Sequence, residues 1–195
     1  PQSTQPQLLL AKVLQKKGDA DEALEGLKRM TNVTPDSWAA YFLQAQMHLR
    51  EKEYSLAIEA ANKSLKIKPD NIRALICLGK SLIGIQQYTK AVNVFSDALL
   101  AEPNRWQIKI NLAKAYMANE EYTKTKKLLE TMARSRKGLG AVHFLLGENY
   151  ILQGELDYGL REYEAALLHS EKLVKKNPEL MQILRETVDA NIKVS

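Results

Sequence analysis

The chain has 195 residues, 45% of them hydrophobic, and 28 basic against 23 acidic side chains give a net charge of +5. No apolar run reaches membrane length, which excludes a transmembrane helix, and a single cysteine, Cys77, excludes an internal disulfide framework.

The dominant pattern is a repeat of 34 residues that holds without insertion from about Thr4 to about Leu173. Ala11, Ala45, Gly79, Ala113 and Gly147 form one column, Leu10, Leu78, Leu112 and Leu146 a second, and Pro35, Pro69 and Pro103 a third. A period of this length means stacked supersecondary units rather than one globular core. The expected units are 4–37, 38–71, 72–105, 106–139 and 140–173, followed by a terminal segment 174–195. Pro1 stands in phase with the repeating prolines, so the chain is expected to be a fragment of a longer protein.

In the first unit Asp19, Asp21 and Glu22 imitate part of a calcium loop, but its glycine and distant glutamate are missing. They read as acids at the start of a helix, where they complement the dipole. In the second unit Tyr41, Ala45 and His48 share one helix face, and Ala57, Ile58, Ala61 and Leu65 share a face of the next helix. Each unit is therefore expected to be a helical hairpin. Pro35, Pro69 and Pro103 end the second helices, and Asp36, Asp70 and Asn104 are candidate caps for the helices that follow. Trp38 and Trp106 open equivalent helices and read as packing residues between units.

In the third unit Gly79, Lys80 and Ser81 mimic the end of a phosphate-binding loop. Ala74 occupies the upstream glycine position and the segment lies inside a helix, so the motif is rejected. Gly79, Gly147 and Ala91 let helix backbones approach, with Phe95 or Tyr163 filling the space they open between units, and Cys77 reads as a packing residue. The fourth unit departs from the pattern: Thr125 replaces alanine, Lys137 replaces proline, and Gly138 with Gly140 is expected to loosen the turn. Its basic cluster, Lys124, Lys126, Lys127, Arg134, Arg136 and Lys137, faces Glu130 and lacks interleaved aromatics, so it reads as a solvated helix face and nucleic acid is disfavoured. The second helix of the fifth unit is expected to run on to Asn177. A new helix then starts with Asn177 and Pro178, with Leu180, Ile183, Leu184, Val188 and Ile192 on one face, and reads as a capping helix, the alternative being a degraded sixth unit.

The spacing of Leu78, Gly79, Tyr88, Ala91, Phe95, Ala98 and Pro103 resembles the tetratricopeptide repeat (TPR), and the resemblance covers about nine-tenths of the chain. It implies an all-α, right-handed α-solenoid of five helical hairpins with a C-terminal capping helix. It also implies that the first helices line a concave groove through repeat positions two, five, nine and twelve. Leu8, Phe42, Ile76, Ile110 and Phe144 then form one apolar column, and Leu49, Ile83, Met117 and Ile151 a second. Between them run Lys12, Gln46, Lys80, Lys114 and Glu148, with Arg73 one turn from Lys80: an apolar floor with a basic rail. The competing reading is that contacts between neighbouring first helices absorb the first column.

The expected function is a non-catalytic scaffold that binds a protein or peptide carrying apolar anchors and acidic flanks. The alternative is a partner-selecting arm of a larger enzyme or of a secretion or assembly machine. The two-carboxylate clamp by which some members of the family hold chaperone tails needs lysine, two asparagines, lysine and arginine; no frame here retains it, and Asn111 alone matches. Neither cofactor nor metal is expected, since His48, His143 and His169 lie in different units and no nucleophile has a base nearby. Self-association through an incompletely capped end is a further reading. The cytoplasm is favoured slightly, with the periplasm left open.

Overall fold

The computed structural model describes residue 9 and residues 19–134 and 139–169, and all regular structure among them is α-helical. In chain order the helices are α1 (Ala20–Val33), α2 (Trp38–Arg50), α3 (Tyr54–Ile67), α4 (Ile72–Gly84), α5 (Tyr88–Ala101), α6 (Trp106–Ala118), α7 (Tyr122–Arg134), α8 (Leu139–Leu152) and α9 (Leu156–His169). The groove candidates Leu8 and Lys12, the segment Ser135 to Gly138 and the expected capping helix lie outside the described residues.

The chain divides into two compact units, Pro1–Pro103 with α1 to α5 and Asn104–Ser195 with α6 to α9. In the first, α2 pairs with α3 and α4 with α5, α3 packs on α4, and α2 also touches α4. In the second, α6 pairs with α7 and α8 with α9, α7 packs on α8, and α6 touches α8. First helices of successive hairpins are thus neighbours in both units, and the fold class is an all-α helical solenoid.

The turn inside each hairpin is the same object four times. Lys52, Gln86, Glu120 and Gly154 all have positive φ, between 61° and 80°, and each follows the C-cap of a first helix. Around Lys52, its N–H donates to Leu49 O (3.2 Å) and the Glu53 N–H donates to His48 O (2.9 Å). The same pair of bonds recurs at Gln86 with Gln87, at Glu120 with Glu121 and at Gly154 with Glu155. This is the Schellman arrangement, in which one left-handed residue lets the chain reverse while the last helix carbonyls find donors.

The turns between hairpins correct one expectation. Asp36 and Asp70 do not cap helices; they sit in β-turns closed by Ser37 N–H to Thr34 O and Asn71 N–H to Lys68 O, both 3.2 Å. Proline takes the second turn position, where its fixed φ is favourable, and the aspartate takes the third. The N-cap moves one residue on, to Ser37, Asn71 and, after Asn104, Arg105. Asn71 alone of these three caps with its side chain, accepting from Ala74 N–H. Its amide also donates to Ser64 Oγ, and buried Ser64 donates to Trp38 O at 2.8 Å, so a polar chain ties the start of α4 to α3 and to the start of α2.

Two further expectations change. Phe95 and Tyr163 fill space within their own hairpins, against Gly79 and Gly147, because the glycine and the ring stand on paired helices. One contact between successive hairpins is instead Tyr54 of α3 on Gly84 of α4, where a Cβ would come within 2.5 Å of the ring. Gly140 is buried in the first turn of α8 rather than in the preceding turn. Thr125 fits its fully buried alanine position because its hydroxyl donates to Glu121 O (3.2 Å), which satisfies the added polar group inside its own helix.

Candidate partner-binding surfaces

In the first unit the candidate surface lies on α2 and α4. At about 100° per residue, Phe42, Gln46 and Leu49 share one face of α2, and Arg73, Ile76, Lys80 and Ile83 share one face of α4. Phe42 is buried in the cluster of Leu27, Met30, Leu43, Met47 and Ala74, with the Arg73 guanidinium 4.7 Å from its ring centroid. Arg73 and Lys80 are exposed, while Gln46, Leu49, Ile76 and Ile83 are partly buried. The apolar side chains therefore keep some surface beside two cations.

In the second unit the surface lies on α6 and α8. Ile110 and Met117 pack partly against the core of Leu129, Val142 and Leu146, and Lys114 between them is exposed. Asn111 is buried and its amide donates to Gln107 O at 2.7 Å, so that donor is used within its own helix. Phe144 packs on Tyr163, with ring centroids 5.3 Å apart, and Ile151 lies against Gly159. Glu148 interrupts the basic row: burial pushes its carboxyl above the usual range, and Lys114 pulls in the opposite sense. Of the candidates within the described residues, Phe42 and Asn111 are buried and the remainder keep exposure.

The other singled-out residues have local tasks. Cys77 is buried and its thiol is pushed up to about 11 by burial, so it packs as an inert group. Trp38 remains 37% exposed with the Lys68 ammonium 4.7 Å above its ring, so it packs within its hairpin and only in part. On α7, Lys124 pairs with Glu121, and Lys126 bonds to Tyr150, which raises its pKa. These contacts tie part of the basic cluster to neighbouring side chains. His143 bonds Glu162 at 2.7 Å, and among the described residues no cluster of ligating side chains could hold a metal. No helix among them is long and apolar enough to cross a membrane.

The sequence matches the tetratricopeptide repeat over residues 8–72 and again over residues 82–138, together more than half of the chain. The chain belongs to the tetratricopeptide repeat family. Among solved structures, a thermophilic TPR protein of Thermus thermophilus is similar at 19% identity over 97% of this chain and 99% of that one, with a TM-score of 0.69. MamA from Desulfovibrio magneticus RS-1 is similar at 18% identity over 86% and 94%, with a TM-score of 0.76. A further MamA structure gives 19% identity over 85% and 96%, with a TM-score of 0.73. At such identities these likenesses establish the fold. A comparison with curated proteins found no match. The TPR fold is that of a protein-interaction scaffold, and this is the general class of function in which the chain falls.

Proposed function

We propose that the chain binds peptide segments of a partner on the first-helix faces of its two units, through apolar anchors with acidic flanks. The stripe on α4 carries this reading: Ile76 and Ile83 are partly exposed on either side of exposed Lys80, with exposed Arg73 one turn away. Ile110, Lys114 and Met117 repeat that order on α6. Anchoring one such side chain is worth up to about 1.5–3 kcal/mol where burial is complete. Exposed lysines add less and mainly set orientation and association rate.

The test is an array of amphipathic peptides, with aliphatic anchors one helical turn apart and glutamates outside them, probed with the wild type and with Ile76→Asp/Ile110→Asp. The double variant is expected to keep its helical circular dichroism and lose the peptides the wild type retains. An unchanged peptide profile in a folded double variant overturns the proposal.

A further inference from the structure

We propose, on the basis of that groove reading, that Glu148 makes the α6–α8 face take a segment of mixed charge, with an acidic side chain over Lys114 and a lysine or arginine over Glu148. The 34-residue period puts Glu148 in the column of Gln46, Lys80 and Lys114, so the charge of the groove face reverses at α8. The first unit carries no such reversal, since Gln46 is neutral and Arg73 and Lys80 are both cations.

Glu148 stands on one face of α8 between Phe144 and Ile151, as Lys114 stands on α6 between Ile110 and Met117. Phe144, Glu148 and Ile151 are all partly exposed, Lys114 is exposed, and α6 touches α8, so the two charges belong to one accessible surface. Among the described residues Glu148 has no hydrogen bond or ion pair, and Lys114 acts on it only from a distance. Burial holds its carboxyl above the usual range, as expected of a group that has lost water without gaining a donor.

The ring beside it points to the same ligand. Phe42 and Phe144 share one repeat column, and Phe42 is covered by the Arg73 guanidinium, 4.7 Å from its ring centroid. Among the described residues no cation covers Phe144, which lies one helical turn from Glu148. A partner's ammonium or guanidinium placed there meets a carboxylate and a ring face together. It also supplies the charge partner whose absence makes Glu148 unfavourable in the free chain. Packed helices lie about 8–10 Å apart, and a polyproline II segment puts residues i and i+3 on one side about 9 Å apart. An acid and a base three residues apart therefore match Lys114 and Glu148.

The experiment measures binding of the full chain, carrying Ile76→Asp to remove the α4 anchor, to three peptides. They share leucine anchors and differ at two positions three residues apart, which hold Glu and Lys, Glu and Glu, or Gln and Gln. The Glu–Lys peptide is expected to bind at least about fivefold tighter than the Glu–Glu peptide, by a margin that falls as salt is raised. Glu148→Gln, which burial predicts to fold at least as stably as the parent, should abolish that preference, and Glu148→Lys should invert it. Ile110→Asp should weaken all three peptides alike. Binding that ignores Ile110→Asp, or no binding of any peptide, overturns the groove reading and this assignment with it. Binding that depends on Ile110 but ranks Glu–Glu level with Glu–Lys, or keeps one ranking in parent and Glu148→Gln alike, overturns this assignment alone.

Discussion

The tip of the Phe95 ring occupies the space that a side chain on Gly79 would take. A Cβ built on Gly79 would stand 2.7 Å from Cε1 and Cε2 of that ring, and Phe95 itself is fully buried between α4 and α5. Gly79→Leu must therefore displace the ring, and overpacking of this kind destabilises by about 1–3 kcal/mol or more. Phe95→Ala alone is expected to lose about 3–5 kcal/mol through the cavity it leaves. Because the two side chains compete for one volume, Gly79→Leu/Phe95→Ala should lose less than the sum of the single losses. Urea unfolding of the four proteins measures the coupling. Additive losses, or an unchanged melting temperature for Gly79→Leu, contradict the packing described.

The four left-handed turns make a prediction within one chain. Three of the positions, Lys52, Gln86 and Glu120, hold residues with a Cβ at φ near 60°, whereas Gly154 has no Cβ. The left-handed conformation costs an ordinary residue about 1–2 kcal/mol, and the added freedom of glycine in the unfolded chain offsets part of the gain from removing that cost. Lys52→Gly, Gln86→Gly and Glu120→Gly are each expected to stabilise by a few tenths to about 1 kcal/mol. Gly154→Ala should destabilise by about 1 kcal/mol. A fall in melting temperature for all three glycine variants would show that the side chains are worth more than the strain.

These turns also show where sequence reasoning stops. The period placed the hairpins, and the small-residue column identified Gly79 and Gly147, because close helix approach leaves no room for another residue type. The left-handed column was equally present as Lys52, Gln86, Glu120 and Gly154, but lysine, glutamine and glutamate hide a backbone requirement that only glycine advertises. The caps were misplaced by one residue because aspartate after proline suits a turn as well as a cap, and only the Asn71 N–H to Lys68 O bond separates the two. Gln44 was legible as a gap in the leucine column, but its burial there was not, since that depends on neighbouring helices as well. Phe42 shares a helix face with Gln46 and Leu49 by spacing alone, but its burial depends on side chains from neighbouring helices, Leu27 and Ala74 among them, which no local spacing reveals.

Asn149 occupies the column of Met47, Ser81 and Ala115, all of them buried. It is itself fully buried, and neither atom of its amide has a hydrogen-bond partner among the described residues. Ser81 meets the same constraint by donating to Cys77 O at 2.9 Å, a bond within its own helix. An unsatisfied buried polar group costs about 1–3 kcal/mol, more than the packing lost on trimming asparagine to alanine. Asn149→Ala, which copies the residue at Ala115, is therefore expected to gain about 1 kcal/mol, read as a higher urea midpoint at unchanged slope. A loss of stability would mean that the amide is satisfied in solution.

Glu148 gives the chain a signed pH dependence. Burial raises its pKa in the folded state, and attraction by Lys114 only partly opposes that rise. The folded chain therefore holds this proton more tightly than the unfolded chain does. The resulting stabilisation is fully present below the unfolded pKa and is lost as pH rises through the raised folded value. At neutral pH the ionised carboxylate is an unfavourable burial, so Glu148→Gln should be more stable than wild type at pH 7. The difference should shrink as the pH falls toward about 4, near the ordinary glutamate value, where the wild-type side chain takes up its own proton. Lys114→Met removes the opposing cation and should widen the gap between the chains with and without Glu148→Gln at neutral pH. Urea midpoints of the four proteins from pH 4 to pH 8 measure it. A Glu148→Gln variant less stable than wild type at pH 7, with the difference vanishing in acid, would show instead that attraction to Lys114 outweighs burial.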